Sequence, residues 1–456
     1  MTIRSSVVAL ATASTVLFMA ANVQAQSISD ALAMAYSNNP SLNAARAQLR
    51  ATDESVSQAL SGWRPQIFAN LSAQHTTFSS RPGGELYYNT ATVGLQIQQS
   101  IFRGFRTVNS TRQAESLVKA QRASLRSTEQ NVLLSAAQSY MNVIRDTAIV
   151  SLNRSNIKFL GEQVRAAKDR FEVGEGTRTD IAQADARLAA AQSQLNLARA
   201  NLNADRAVFR QVVGVEPGRI VPRTNIRAML PHDLKSALSQ GAGHHPDIIA
   251  SQFNIDAAQY NVKVLEGNML PTVTVEGNVG RSWNPSSTSN LDYTDSASVV
   301  GRVSVPLYQG GLVSSQVRQA KEELGSARIL LDSARDSVRA SIVAAWGSYQ
   351  AAEASVNAGR AQVDAAQLAL NGVIEEQRVG QQTTLDVLNA QNELIDAKST
   401  LVTAQRDSVV AAFSLVAAVG RLTADDLNLR VVAYRPREHY EAVRDKWFGL
   451  RTPDGR

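Results

Sequence analysis

The sequence predicts an α+β membrane protein, in which β-strands form part of an outer-membrane barrel and long helices continue it as a coiled coil into the periplasm. Three observations support this fold class. The second half of the chain repeats the first at an offset of 206 residues, proline is absent from 83–216 and from 307–435, and the N-terminus has the pattern of an export signal. A duplication of this length indicates one structural unit that is used twice.

The repeat is clearest where turn residues coincide. Pro40 corresponds to Pro246, and Gly104 corresponds to Gly310. The paired turn motifs are Val173-Gly174-x-x-Thr177-x-x-Asp180 and Val379-Gly380-x-x-Thr383-x-x-Asp386. The repeats are assigned to 26–229 and 230–423, and the remaining residues, 424–456, are expected to form an equatorial segment and a partly disordered tail.

Residues 1–25 are predicted to be a signal peptide. Arg4 supplies a positive charge, 7–20 is a short apolar run, and Val23-Gln24-Ala25 is a small-residue cleavage site. The alternative is an N-terminal membrane anchor, but this run is short for a spanning helix, and no other stretch approaches about 18 consecutive apolar residues. If the exported chain enters a membrane, it must do so as strands.

The composition argues against several classes of function. Lys and Arg are scattered among Asp and Glu, whereas nucleic-acid-binding proteins concentrate them, so no nucleic-acid partner is expected. Cysteine is absent, and the adjacent His244 and His245 have no second His or Cys cluster at ligand spacing, so no metal or other cofactor is expected. No nucleophile–base pattern is visible, which predicts that the protein is not an enzyme.

Each half is predicted to contain four segments in the same order. They are a helix (29–62 and 231–267), a β-hairpin (65–102 and 271–308), a long helix (105–173 and 312–379) and a returning helix (179–213 and 384–419). Proline costs about 3 kcal/mol inside a helix, so the proline-free stretches permit helices of this length. The long helices would measure about 100 Å at 1.5 Å per residue, as long as the two shorter helices laid end to end.

The returning helices carry a coiled-coil seam. Apolar residues recur at alternating steps of three and four, and the spacing is sustained over several heptads in both copies. The seam residues are Ile181, Ala184, Leu188, Ala191, Leu195, Ala198 and Leu202, and Val387, Ala390, Leu394, Ala397, Leu401 and Ala404. Large and small side chains alternate, so we expect neighbouring helices to pack closely.

The hairpin segments alternate apolar and polar residues on either side of predicted loops at 75–90 and 281–296. This is the pattern of an outer-membrane strand, and although a soluble sandwich strand has the same period, the export signal favours the membrane. Four strands per chain cannot close a barrel, and open edges are not tolerated in lipid. Two copies would supply eight strands with little lumen, and three would supply twelve with room for a pore.

The duplicated plan, the paired Val-Gly turns and the two strand-to-helix corners, Phe102-Arg103-Gly104 and Tyr308-Gln309-Gly310, resemble the TolC family of outer-membrane efflux proteins. The resemblance implies a homotrimer whose twelve-stranded barrel continues into a periplasmic α-barrel. It also implies a periplasmic adaptor and an inner-membrane RND or ABC transporter as partners. The expected function is a passive exit duct for drugs and toxic compounds. The alternatives are a duct for type I, ABC-driven protein secretion and a structural periplasmic coiled coil.

The resemblance further implies a gate at the periplasmic end. Asp386 matches a gate aspartate, and Asp180 matches an acidic partner in the first half. Asn389 and Gln382 stand where the best-known member has a second aspartate and a linking arginine, and Gln377 stands for a linking tyrosine. The turns are expected to dock the adaptor through Val173, Gly174, Thr177, Val379, Gly380 and Thr383. N-terminal capping of the returning helix is an alternative role for both aspartates, and it is compatible with gating.

Overall fold

A computed structural model describes residues 27–221, 226–283 and 292–455, so the predicted signal peptide, 1–25, lies outside the described residues. The helices are α1 (Ile28–Asn38), α2 (Pro40–Leu60), α3 (Arg106–Glu172), α4 (Arg178–Val213), α5 (Leu234–His244), α6 (Pro246–Glu266), α7 (Leu312–Arg378), α8 (Thr384–Ala418) and α9 (Pro436–Arg444). The strands are β1 (Gln66–Ser80), β2 (Gly84–Arg103), β3 (Thr272–Trp283) and β4 (Tyr293–Ser304).

The first helix of each repeat, which was predicted to be continuous over 29–62 and 231–267, is broken in two. Asn39 separates α1 from α2 with ψ of 124°, and His245 separates α5 from α6 with ψ of 126°. Each of these residues precedes a proline, which disfavours helical backbone in the residue before it. The side chains of Asn39 and His245 then cap the helices that follow, by accepting hydrogen bonds from backbone N–H groups.

Each break lies where the returning helix of the same repeat ends. Asn39 donates from Nδ2 to the carbonyl oxygen of Val212, near the end of α4, at 2.9 Å. In the second repeat, a Cβ on Gly420 would lie 2.9 Å from the Cα of His245. The shorter helices therefore stack end to end as one column. Beside them run α3 and α7, which have 67 residues each and measure about 100 Å.

α3 is the central helix of the chain and packs against α2, α4, α6 and α8. At mid-length it contributes Tyr140, which is fully buried, lies 6.4 Å from the ring of Phe209 and donates its hydroxyl hydrogen to Val221 at 2.7 Å. α8 has the length and mean hydropathy, 1.2, of a membrane-spanning helix. Its apolar residues Leu394 and Leu415 are buried, and 33% of the apolar window is buried within the chain, so helix packing accounts for part of this hydropathy.

The four strands form an antiparallel sheet in the order β1-β2-β3-β4, and the pairing of β2 with β3 joins the two repeats. The predicted loops, 75–90 and 281–296, are too long. β1 and β2 continue to a turn at 81–83, so Tyr87 lies in a strand, and in the second hairpin β3 runs to Trp283 and β4 begins at Tyr293. Strand pairing in the first hairpin continues beyond the apolar alternation, where His75 and Thr77 replace aliphatic residues.

The C-terminal segment, expected to be partly disordered, is folded against α2 instead. α9 packs along α2, and its Val443 is fully buried. His439 places Nδ1 3.0 Å from Oδ2 of Asp53, whose side chain is fully buried on α2. Apolar and polar residues recur at helical spacing in this segment, so one face of α9 can pack against α2. The high charge of the segment masked this pattern in the sequence.

We expect the attachment of this segment to strengthen as pH falls, because of Glu129 on α3. Its carboxylate accepts a hydrogen bond from the backbone N–H of Ala424 at 2.7 Å, and burial raises its pKa above the usual value. A raised pKa contributes stability that is present below the unfolded pKa and lost as pH rises through the folded pKa. Hydrogen exchange at 424–430 should therefore slow between pH 7 and pH 5, after correction for the intrinsic rate. Glu129→Gln should remove this dependence, and its persistence would contradict the assignment.

Candidate functional site

The two hairpin tips, 173–177 between α3 and α4 and 379–383 between α7 and α8, are built alike. Gly174 and Gly380 follow the last helical turn with positive φ of 80° and 79°. Glycine adopts this left-handed backbone without steric cost, so it reverses the chain at both tips. Val173 and Val379 precede them, and each is 72% exposed. Each tip therefore presents one apolar side chain to solvent at its very end.

Thr177 and Thr383 cap the returning helices, and both complete a capping box. The carboxylate of Asp180 accepts from the backbone N–H and hydroxyl of Thr177 at 3.0 and 2.7 Å. Asp386 accepts from the same groups of Thr383 at 2.9 and 2.6 Å. The hydroxyl bond, followed by the backbone bond, lowers the pKa of each aspartate. The capping role is therefore confirmed for both, and each tip holds a fixed negative charge.

Asn389 connects the second hairpin to the first. Its Oδ1 accepts a hydrogen bond from Nη2 of Arg187, on α4, at 3.0 Å. Gln377 instead donates within its own hairpin, to the hydroxyl of Thr384 at 3.3 Å. Gln382 lies exposed in the turn. Of the predicted gate residues, Asn389 is thus brought against the first repeat.

Sequence analysis missed a buried link between the hairpins, formed by Asn156 on α3 and Gln391 on α8. Nε2 of Gln391 donates to Oδ1 of Asn156 at 2.9 Å, and each residue is 5% exposed. A buried amide without a partner would cost about 1–3 kcal/mol, so this bond fixes the relative height of the two helices. Gln391 follows the seam residue Ala390 directly, and a polar residue beside the seam was the available signal. Arg187, which directly precedes the seam residue Leu188, carries the same signal.

The histidine pair belongs to the helix break rather than to a metal site. His245 caps α6 by accepting from the backbone N–H of Asp247 at 3.3 Å, and burial lowers its pKa. No group of three or more His, Cys, Asp or Glu residues that could hold a metal ion occurs among the described residues. His245 therefore has a structural role at the start of α6.

The sheet has one apolar and one polar face, because directly paired residues share a face. The apolar face carries Ile67, Leu71, Val93, Leu95, Ile97, Val279 and Val299, which are 38–79% exposed in the single chain. The opposite face carries Asn70, Ser72, Gln96, Gln98, Asn278, Ser282 and Ser298. Phe102, at one end of β2, is paired with Val273, and Trp283 is paired with Tyr293 toward the other end. An exposed apolar face of this extent requires an apolar partner.

Comparison with known proteins agrees with this geometry. The sequence profile described as "Outer membrane efflux protein" matches residues 31–215 and 237–421. The chain belongs to this family. The two matched stretches are equal in length, and each covers one repeat. The outer membrane efflux protein BepC of Brucella suis biovar 1 (strain 1330) is 46% identical over 433 residues, which cover 94% of this chain and 93% of BepC.

More distant relatives share the same organisation. The outer membrane protein TolC of Escherichia coli (strain K12) is 26% identical over 417 residues, covering 89% of this chain and 84% of TolC. The Campylobacter jejuni CmeC outer membrane channel superimposes with a TM-score of 0.77 over 92% of this chain and 89% of that chain, at 16% identity. The chain is accordingly an outer-membrane efflux protein, and relatives are named as efflux, outer-membrane or secretion proteins.

Proposed function

We propose that three copies of this chain form a passive exit duct, which carries drugs and toxic compounds from an inner-membrane pump across the outer membrane. The observation that supports this function is the four-stranded sheet, which has an apolar face and leaves β1 and β4 at its edges. Open edges are not tolerated in lipid, so β4 of one copy would pair with β1 of the next. Three copies then give twelve strands, which is wide enough for a water-filled lumen.

The apolar band has the height of a membrane. It extends from the Phe102–Val273 pair to the Trp283–Tyr293 pair, a span of ten residues along β3. Next to the Trp283–Tyr293 end, the same face carries the ion pair of Arg281 with Asp295, at 2.6 Å. Ten residues rise about 33 Å along a strand, which a tilt of about 40° reduces to about 25 Å, the height of the apolar band in outer-membrane barrels. Aromatic residues at both ends match the girdles of such barrels. The polar face would then line the lumen.

Ring closure makes a prediction for Gly310, the repeat equivalent of Gly104. Within one chain, a Cβ on Gly104 would lie 2.2 Å from the carbonyl oxygen of Gly267, whereas a Cβ on Gly310 would meet no heavy atom within 4 Å. In a closed ring the corner at Gly310 would face the next copy in the same way. Gly310→Ala should therefore weaken the trimer strongly, as judged by its dissociation temperature in detergent. A trimer as stable as wild type would contradict the proposed ring.

The gate is proposed at the α7–α8 tip, where three copies of Asp386 would form a ring of negative charge that favours cations. Asn389, through Arg187, and Gln391, through Asn156, would hold α8 against the first repeat in the closed state. Gln382 would lie at the mouth of the aperture. Opening then requires the α7–α8 hairpin to move outward as a two-state shift, biased by a docked partner.

The six tips of a trimer would be the docking surface for a periplasmic adaptor, with an RND or ABC transporter behind it. The docking residues are proposed to be Val173, Gly174, Thr177, Val379, Gly380 and Thr383. The exposed valines supply apolar anchors, and the glycines fix the turns that present them. Photocrosslinking from Val173 and Val379 in cells should capture an adaptor. Capture at neither position would contradict docking through the tips.

Arg187→Ala should raise the conductance of the closed duct. A hydrogen bond such as that between Arg187 and Asn389 contributes about 1 kcal/mol, so its loss shifts the closed–open equilibrium about five-fold. The measurement is single-channel conductance in planar bilayers. Arg165→Ala is the matched control, because Arg165 pairs with Glu162 on its own helix, at 3.0 Å. Equal conductance in both variants would show that the contact does not hold the gate.

Deletion of the gene tests the proposed function directly. Loss of drug tolerance with intact protein secretion, restored by the wild-type chain, is the expected result. Loss of a secreted protein with unchanged drug tolerance would favour the type I secretion duct. An elongated oligomer that stays soluble without detergent would favour the periplasmic coiled coil. Both outcomes contradict the efflux duct, and they do so in different ways.

A further inference from the structure

The residues that follow α9 carry three large apolar side chains that are strongly exposed. Trp447 is 65% exposed, Phe448 is 89% exposed and Leu450 is 102% exposed. Three such side chains within four residues form a contiguous apolar patch, and patches of this kind mark a surface that contacts another apolar phase.

This patch is held in place by contacts with the end of α2. The carbonyl oxygen of Lys446 accepts hydrogen bonds from Oγ of Ser57 at 3.2 Å and from Nη1 of Arg64 at 2.7 Å. The guanidinium of Arg64 also lies 5.3 Å from the centre of the Trp447 ring. Nζ of Lys446 donates to the carbonyl oxygen of Arg451, which closes the loop 446–451. The apolar patch is therefore positioned by backbone and side-chain contacts at both of its ends.

The contacts fix the height of the patch. Arg64 lies two residues before Gln66, the first residue of β1. The patch is therefore level with the periplasmic end of the sheet, where the apolar band begins at Phe102. Phe102 packs edge to face on Phe105, which is 60% exposed at the same level, with 5.1 Å between the ring centres.

The direction of side chains on α3 shows on which side of the helical wall the segment lies. Arg106 lines a cavity together with Gln98 and Thr274, which belong to the polar face of the sheet. Glu115, nine residues later, accepts a hydrogen bond from the hydroxyl of Tyr440, on α9, at 3.4 Å. Nine residues are two and a half turns at about 3.6 residues per turn, so these two side chains point in opposite directions. α9 therefore lies on the side away from the polar face. Arg64 lines the same cavity as Arg106 and contacts Lys446 and Trp447, so the segment after α9 extends from that side to the edge of the polar face.

We propose that Trp447, Phe448 and Leu450 insert into the periplasm-facing leaflet of the outer membrane, outside the barrel. Aromatic side chains favour the membrane interface, and a short apolar surface flanked by cations binds there. Lys446 and Arg451 flank the patch and would meet the phosphate groups of phospholipids. Three copies would form a collar that fixes the height of the duct in the membrane. This inference rests on the proposed membrane position of the sheet.

The absence of cysteine from the chain allows a direct test, because a single introduced cysteine can carry a nitroxide label. Phe448→Cys places the label in the patch. Ala433→Cys is the matched control, because it is exposed in the same segment but precedes Tyr434, which contacts Tyr36 and Arg46. Arg46 lies eleven residues before Ser57 on α2, so the control position is about 16 Å lower. Val299→Cys reports on the sheet, because Val299 is 79% exposed on the apolar face. The full-length trimers are reconstituted in vesicles of phosphatidylethanolamine and phosphatidylglycerol.

Power saturation compares access of each label to oxygen, which concentrates in lipid, and to a water-soluble nickel complex. The label at 448 should favour oxygen several-fold over the label at 433. If the labels at 448 and 433 are equally accessible to nickel while the label at 299 favours oxygen, only the proposed insertion is overturned. If the label at 448 has low access to both reagents with and without lipid, a neighbouring copy covers the patch, and the proposed insertion is again overturned. Nickel access at 299 as well would overturn the proposed duct.

Discussion

Gly104→Ala should prevent the chain from forming a stable duct, because the backbone leaves no room for a side chain at this corner. Gly104 lies between β2 and α3 with φ of 59°. A Cβ there would lie 2.2 Å from the carbonyl oxygen of Gly267 and 2.9 Å from the Cβ of Leu270. The left-handed backbone costs an L-residue about 1–2 kcal/mol, and overpacking adds about 1–3 kcal/mol. The sum is a large part of the stability of a typical domain.

The same contact explains why the effect should reach the whole assembly. A Cβ on Gly267 would lie 2.4 Å from the carbonyl oxygen of Gly104, so the two repeats touch backbone to backbone at this point. Gly267 ends α6, and Gly104 precedes α3. A displacement here would alter the angle between the helical wall and the sheet, and with it the pairing of β2 with β3.

The measurement is the denaturant midpoint of the reconstituted protein, with Gly174→Ala as the matched control. Gly174 has φ of 80° and no heavy atom within 4 Å of its would-be Cβ. Its substitution therefore carries the conformational cost, about 1–2 kcal/mol, without the steric clash. We expect Gly104→Ala to lower the midpoint well beyond Gly174→Ala, or to yield no folded protein. Equal midpoints would show that the corner relaxes and that the close approach is unimportant.

Periodicity and proline spacing predicted the arrangement of helices well, because each reflects local chemistry. Ala184, Ala191 and Leu195 of the predicted seam are buried. The break at Asn39 was missed although its signal was present, since asparagine before proline both ends one helix and caps the next. The outer part of the first hairpin was missed for a different reason. An apolar alternation reports contact with lipid, and strand pairing continues past the point where His75 and Thr77 end that contact.

Contacts between distant segments were beyond the reach of sequence reasoning. The bonds from Arg187 to Asn389 and from Gln391 to Asn156 join residues that are 202 and 235 positions apart. Helical spacing indicates which face of a helix is buried, but it does not indicate which helix covers that face or at what height. The duplication did not help either, since the equivalents of these residues in the other repeat differ in type: Glu393 corresponds to Arg187, and Asp185 corresponds to Gln391.

Asp386→Asn should reduce the cation preference of the duct several-fold while leaving the hairpin folded. The amide oxygen of asparagine can still accept from the backbone N–H and hydroxyl of Thr383, so the cap is retained while the charge is lost. Three neutral side chains at the aperture would no longer concentrate cations. The readout is the reversal potential in planar bilayers under a salt gradient.

Two variants separate charge from capping at this site. Thr383→Ala removes the hydroxyl of the cap at a cost of about 1 kcal/mol, but it keeps the carboxylate, so stability should fall while cation preference persists. Asp180→Asn neutralises the equivalent aspartate of the first repeat, and it should change selectivity less if α7 and α8 line the aperture. The hydrogen bonds that lower the pKa of Asp386 keep it ionised below the usual aspartate range, so selectivity should also survive mild acid. If Asp386→Asn leaves the reversal potential unchanged, capping is the whole role of this residue, and the narrowest ring of the duct must lie elsewhere.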